Sequence, residues 1–287
     1  MSFFTSYDGT QLAYDEVGTG PRLICLPGGP GRASAYLEDL GGLAQQRTLV
    51  RLDTRATGRS EVPADPGSLR FDRLAADVEA LRKHLAGDGE QNKQIDLLGH
   101  SAGCLVAQAY AAAYPDRVRS LVLVTPSDRL QDGARGDVAA IRAARADEPW
   151  YAEAADAEAA FADASPRQQP SLMRATRPFF YGRWDERTQA HAATADSQSS
   201  KRAELGFGAD VEDLDLDAMR AALQAVDAPV LVVGGERDAL TGVESVEAVA
   251  AWFRGARTAV LPKAGHFPWV DEPAAFCAVV SRFLAGG

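Results

Sequence analysis

Short apolar runs alternate along this chain with longer segments whose apolar positions recur at helical spacing. Residues 3–7 and 10–17 are two strand-like runs, and Asp8-Gly9 between them is a hairpin signal. Residues 22–26 read as a buried strand that stops at Pro27-Gly28-Gly29-Pro30-Gly31. Residues 33–46 read as a helix, 47–53 as a strand and 54–60 as a loop. Through 71–86, Phe71, Leu74, Ala75, Val78, Leu81 and Leu85 keep helical spacing. Residues 93–98 form another apolar strand, 104–114 have helical composition up to Pro115, and 120–124 are again strand-like.

From about 127 to 225 the pattern changes to Ala, Asp, Glu and Arg with no convincing strand. Helices are expected near 135–147, 150–163, 167–181, 185–197 and 215–225, with aromatic residues scattered among them. Strands return at 228–235 and 257–261, with helices at 243–254 and 272–284. Strands that alternate with helices imply an α/β fold: a mostly parallel, eight-stranded sheet with helices on both faces. The expected organisation is a core domain from 1–126 and 226–287, with a helical cap at 127–225 inserted after the sixth strand. In open sheets of this kind ligands bind at the carboxyl ends of the strands, where such a cap would sit.

The 287 residues suffice for one large domain with an insertion. A net charge of −10, without a basic stretch, argues against a nucleic-acid partner. No apolar run reaches the roughly 18 residues of a membrane span, so no membrane partner is expected. The N-terminus lacks the basic start and apolar core of a signal peptide. Cys25, Cys104 and Cys277, an odd and scattered set, fit reduced thiols in a cytoplasmic protein. No metal-ligand spacing and no glycine-rich dinucleotide fingerprint is present, so no cofactor is expected. Oligomeric state is open.

The chemistry gathers at Gly99-His100-Ser101-Ala102-Gly103, which lies between a strand and a helix. G-x-S-x-G in that context is a nucleophile elbow. The tight turn strains the Ser101 backbone and aims the hydroxyl out of the sheet at a helix N-terminus. A serine needs a base, and the base needs an orienting acid. Among four histidines, His266 stands in a loop after the last strand and is the candidate base. His84 near a helix end reads as solvated, His191 as a surface or lid residue, and His100 as packing for the elbow. Asp238, in Gly235-Glu236-Arg237-Asp238 after an apolar strand, is the candidate acid, with Glu236 as runner-up. The order Ser, Asp, His places all three in loops at one sheet edge. The oxyanion hole would use the N–H groups of Ala102 and Gly29, and the Gly29–Pro30 bond is a candidate for cis.

Together, G-G-P-G at 28–31, D-x-R-x-x-G-x-S at 53–60, G-H-S-x-G at 99–103, G-E-x-D at 235–238 and G-H at 265–266 resemble the α/β-hydrolases, and within them the prolyl aminopeptidase (proline iminopeptidase) branch. The resemblance covers both flanks, about two thirds of the chain. It implies an α/β-hydrolase fold and hydrolysis of an ester or amide through an acyl-enzyme, with a small ester, amide or short peptide as substrate. Pro27 stands where the family usually has His, Ala56 where it usually has Gly, and Ala102 and Cys104 where the branch often has Trp and Gly. An aminopeptidase would need a cap carboxylate for the substrate ammonium, and Glu204, Asp210, Glu212 and Asp213 are candidates. A carboxylesterase, lactonase or biosynthetic acyl hydrolase would need only an apolar lid, to which Phe179, Phe180, Tyr181 and Trp184 could contribute. A hydrolase-like small-molecule receptor with slow turnover is the reading from another class.

Overall fold

A computed structural model describes residues 2–87, 94–126 and 136–286. Eight strands form one sheet: β1 Ser2–Thr5, β2 Gln11–Gly18, β3 Arg22–Leu26, β4 Thr48–Leu52, β5 Ile95–His100, β6 Val118–Val124, β7 Val230–Gly235 and β8 Arg257–Leu261. Their order is β1-β2-β4-β3-β5-β6-β7-β8. β1 and β2 pair antiparallel with their neighbours, and every pairing from β4 to β8 is parallel. The core helices are α1 Leu74–Ala86 and α2 Gly103–Ala113. Between β6 and β7 lie α3 Val138–Ala143, α4 Tyr151–Phe161, α5 Gln169–Thr176, α6 Glu186–Ala193, α7 Ala195–Gln198, α8 Lys201–Phe207 and α9 Leu216–Gln224. α10 Glu244–Ala250, α11 Pro268–Asp271 and α12 Pro273–Ala285 complete the chain. No helix of the described residues is long and apolar enough to cross a membrane.

The strands are continuous apolar runs because both faces are covered. On β3, Ile24 and Leu26 join one core with α1 and α2, whereas Leu23 and Cys25 join the other with Phe276 and Val280 of α12. β6 splits the same way, Leu121 and Leu123 against Val122 and Val124. α9 packs on α2 and buries Leu223 in the first core.

Two expectations are corrected and one helix is added. The helix expected at 33–46 is two short 3-10 turns, Ser34–Leu37 and Leu43–Gln45, with Glu38, Leu40, Gly41 and Gly42 at positive φ between or beside them. A run of left-handed residues cannot continue a right-handed helix. Residues 201–207, left unassigned by periodicity, are α8. Its start is set by a cap, Ser200 Oγ accepting from Ala203 N at 3.3 Å. The helix expected at 167–181 changes to a 3-10 turn at Arg177–Phe180, where Pro178 stands. The expected strand start at Lys93, the helix start at 135 and the cap boundary at 127 lie outside the described residues.

The D-x-R-x-x-G-x-S stretch is a structural knot. Asp53 Oδ1 accepts from the N–H and hydroxyl of Ser34, both at 2.8 Å, and Oδ2 accepts from Arg59 N at 3.1 Å. Ser60 Oγ accepts from Ala13 N at 2.9 Å and donates to the Asp53 carbonyl. Arg55 is 1% exposed and holds Asp77 with two bonds of 2.7 Å, while its Nη1 reaches Asp8, Thr10 and Ser68. Ala56, where glycine is usual, sits at φ 59°. Removing one partner from a buried ion pair strands the other, at about 3–5 kcal/mol. Arg55→Met is expected to cost that much in urea unfolding, and a loss below about 1 kcal/mol would show that Asp77 finds another partner.

Candidate active site

Ser101 occupies the turn between β5 and α2 with φ 53°. Its N–H donates to Val124 O at 2.9 Å and its carbonyl accepts from Cys104 N at 2.9 Å, so the strained turn is braced on both sides. A left-handed serine costs on the order of 1–3 kcal/mol, which such bracing must offset. Gly103 is required by closeness: a Cβ there would lie 2.5 Å from the Leu26 carbonyl oxygen. Ser101 is 8% exposed and lines a cavity of about 700 Å³ at the carboxyl ends of the strands. Gly29, Arg32, Phe180, Tyr181 and His266 line the same cavity.

His266 follows β8 and Asp238 follows β7. His266 Nδ1 and Asp238 Oδ2 are 2.9 Å apart, and both residues are buried. Asp238 Oδ2 also accepts from Thr241 Oγ1 at 2.6 Å, and Oδ1 accepts from the N–H groups of Leu240 and Thr241 at 2.9 and 3.1 Å. Burial pushes the Asp238 pKa up, but His266 and these donors outweigh it and hold the carboxyl below its ordinary value. Glu236 is exposed and accepts from Lys263 N at 3.1 Å, on the other side of its loop.

The glycine loop after β3 runs beside the serine: a Cβ on Gly28 would be 2.8 Å from Ser101 Cβ. The Gly29–Pro30 peptide is cis. Among the described residues, neither the Gly29 nor the Ala102 N–H is used in a hydrogen bond. The Gly28 N–H is taken, by Tyr36 Oη at 2.7 Å.

Tyr36 opens a chain that periodicity could not show. Its hydroxyl accepts from Gly28 and gives its own proton to His100 Nδ1 at 2.7 Å, because Nε2 of this neutral ring faces a carbonyl and must be the donor. His100 Nε2 then carries the ring proton and donates to the His266 carbonyl at 2.9 Å. Thr125 Oγ1 donates to the same carbonyl at 3.1 Å, and His266 N donates to Phe180 O at 2.7 Å. His191, expected as a surface or lid residue, lies in the β6–β7 insertion but is buried, in a copy of this arrangement. Tyr181 Oη donates to its Nδ1 at 2.7 Å, and its Nε2 donates to the Tyr36 carbonyl at 2.9 Å. Asp271 Oδ2 accepts from Gly182 N at 2.9 Å and Gly265 N at 2.8 Å, joining the loop before His266 to the β6–β7 insertion. His84 is exposed, as expected, with Nε2 3.1 Å from Tyr14 Oη.

Of the aromatic candidates, Phe180 and Tyr181 line the cavity. Phe179 does not: it packs against Trp150 and Tyr151 with ring centroids 5.3 and 5.8 Å apart. Trp184 packs on Tyr181 outside the cavity lining. These two are corrections, and for Phe179 the cause is local, since Phe179 and Phe180 are neighbours in one 3-10 turn and point in different directions. Glu204 reaches the cavity but pairs with Lys201 at 3.1 Å, and Asp210, Glu212 and Asp213 do not line it.

The buried groups set a pH dependence. Burial pushes the His100 pKa well below the imidazole value and that of His191 down to about 4. Burial pushes Asp271 the other way, up to about 6. Below about 6.5 unfolding therefore takes up a proton at each histidine, whereas between about 6 and 4 it releases one from Asp271. The balance near pH 5.5 is one proton gained, so stability is expected to fall on acidification by about 1.4 kcal/mol per pH unit. In Asp271→Asn the opposing proton is gone and the slope should roughly double. Urea midpoints between pH 5 and 6 measure both, and an unchanged slope in the variant would remove Asp271 from this account.

A family model described as the alpha/beta hydrolase fold matches residues 21–273. A proline iminopeptidase of Heyndrickxia coagulans is 34% identical over 113 residues, 39% of this chain and 38% of that protein. The chain thus aligns with under half the length of that relative. A pyrrolizixenacetamide deacetylase of Xenorhabdus hominickii is 27% identical over 280 residues, 96% of this chain and 94% of the relative. Among solved structures, an esterase from Exiguobacterium antarcticum superposes with a TM-score of 0.74 at 19% identity, covering 99% of both chains. With the strand order, the serine turn and a family match across most of its length, this chain belongs to the α/β-hydrolase fold family.

Proposed function

We propose that the protein is a serine hydrolase that cleaves an ester or amide bond of a small substrate through an acyl-enzyme intermediate. The observation that carries this reading is the Asp238–His266 pair, 2.9 Å apart, with His266 and the strained Ser101 lining one cavity. Ser101 Oγ attacks the substrate carbonyl while His266 Nε2 takes the hydroxyl proton. Asp238 fixes the tautomer that leaves Nε2 unprotonated for this step. The oxyanion accepts from Gly29 and Ala102, whose N–H groups have no other partner among the described residues. Each donor contributes about 3 kcal/mol in enzymes of this type. His266 returns the proton to the leaving group, and water, activated by the same imidazole, then releases the acid.

We further propose that the helical insertion acts as a lid, with Phe180 and Tyr181 on the cavity wall. Excluding water there strengthens the contacts to the developing anion. An N-terminal peptide substrate would need a carboxylate for its ammonium. The carboxylates on the wall, Glu204 and Asp196, are already paired, with Lys201 and with Arg174 and Arg177. That favours an esterase or amidase over a proline iminopeptidase-type aminopeptidase. The near full-length relative named as a deacetylase supports the same choice.

Ser101→Ala is expected to lower kcat on a small ester by at least about a thousandfold. The melting temperature should stay within a few degrees of wild type, because only one hydroxyl is lost. Wild-type turnover in this variant would overturn the proposal. Ligand-induced melting shifts without turnover of any ester or amide would point to the receptor reading instead.

A further inference from the structure

The glycine loop continues into Arg32, which the chemistry above does not use. The residue is 6% exposed and lines the same cavity as Ser101. Nε donates to Gln198 Oε1 at 3.0 Å, and Nη2 donates to Thr194 Oγ1 at 2.9 Å and to the His191 carbonyl at 3.5 Å. All three partners are neutral. Among the described residues Nη1 has no hydrogen bond, and no carboxylate pairs with this guanidinium. Its central carbon lies 4.2 Å from the Tyr36 ring centroid and 5.8 Å from that of Phe267, so two cavity-wall aromatics hold it in place.

A buried cation without a counter-ion is costly, and proteins pair such groups. This chain does so elsewhere: Arg55 is closed off by Asp77 and Asp8. The cavity wall differs. Arg32, Arg174, Arg177 and Lys201 face only Asp196 and Glu204, an excess of two positive charges on a chain of net charge −10. Both carboxylates are held by the other three cations, so the unanswered charge includes Arg32. A clamp between the glycine loop and the insertion would need only the Gln198, Thr194 and His191 bonds, and does not account for an unused Nη1.

We propose that Arg32 anchors a carboxylate on the substrate. The proposal deepens the serine-hydrolase reading and rests on it. The substrate class is a small ester or amide that carries a carboxylate a few bonds from the scissile carbonyl. The spacing follows from the loop: Arg32 N donates to Gly28 O at 3.2 Å, and a Cβ on Gly29 would be 3.1 Å from Arg32 Cβ. The guanidinium and the proposed oxyanion donor are therefore borne by one tight turn. Nη1 offers two N–H groups, and a charge-assisted carboxylate bond is about twice as strong as a neutral one.

The test compares monomethyl glutarate with methyl pentanoate, which differ only by carboxylate for methyl. Wild-type kcat/KM is expected to favour the glutarate ester by about tenfold or more, mostly through KM. In Arg32→Gln that ratio should fall at least about tenfold, and Arg32→Lys should recover part of it. A wild-type ratio near one overturns the proposal whatever the variants do, as does an equal loss on both esters in Arg32→Gln, the mark of a clamp. A binding arm separates this proposal from the hydrolase reading. Glutarate should raise the melting temperature of Ser101→Ala and not of Ser101→Ala with Arg32→Gln. If wild type hydrolyses neither these nor any other ester or amide, the hydrolase reading fails while glutarate protection lost with Arg32 still upholds the carboxylate site. Equal protection of both proteins overturns the site.

Discussion

The hydrogen-bond chain from Gly28 N–H through Tyr36 and His100 to the His266 carbonyl ties the glycine loop to the histidine loop. Its directions are forced, because the His266 carbonyl can only accept, so Nε2 of a neutral His100 donates and Nδ1 accepts from Tyr36. Only a neutral His100 with the proton on Nε2 completes it. The ring is enclosed by Trp269 and Phe267, with centroids 4.7 and 5.3 Å away, and burial keeps it from charging. The residue next to the serine is thus a strut. It fixes the backbone from which the His266 ring reaches Asp238, and it holds the loop that carries Gly29.

The same logic recurs at His191, which joins Tyr181 of the insertion to the Tyr36 carbonyl. Tyr36 stands at the junction of both chains, with its hydroxyl in one and its carbonyl in the other. Core loop, elbow, histidine loop and insertion therefore share one polar network inside an aromatic cluster. A buried network of this kind is stabilising only when every member is satisfied. That requirement makes the histidines structural groups that must stay neutral and puts the fold's acid sensitivity beside its chemistry.

Much of the fold was legible because its signals are local. Continuous apolar runs such as Val230–Val233 mark strands covered on both faces, and Ser101 sits where strand composition changes to helix. The residues brought to the cavity edge, Ser101, Gly29 and His266, were legible through their loops, each following a strand. Long-range partners were not. Tyr36 lies in a stretch that periodicity reads as plain helix, and its role depends on His100, 64 residues away. Asp271 looks like a helix-end carboxylate until its bonds to Gly182 and Gly265 are seen. Phe179 and Phe180 are identical neighbours in sequence. One fills a small core with Ala154 and Ala239 and the other lines the cavity, a distinction set by a single turn of backbone.

The treatment of buried charge separates scaffold from site. Arg55 is surrounded by carboxylates and hydroxyls, and its whole donor set is used inside the core. Arg32 is nearly as buried, yet it is met by an amide, a hydroxyl and a carbonyl, and one nitrogen is left over beside the cavity. Desolvation penalises both guanidiniums, but only the first recovers the loss within the fold. A protein under selection for stability alone would gain by placing a carboxylate beside Arg32 or by replacing it with an apolar residue. Keeping the charge unanswered at the mouth of the glycine loop costs stability that a bound anion would return. The stability deficit and the affinity are thus the same interaction, counted in the absence and in the presence of ligand.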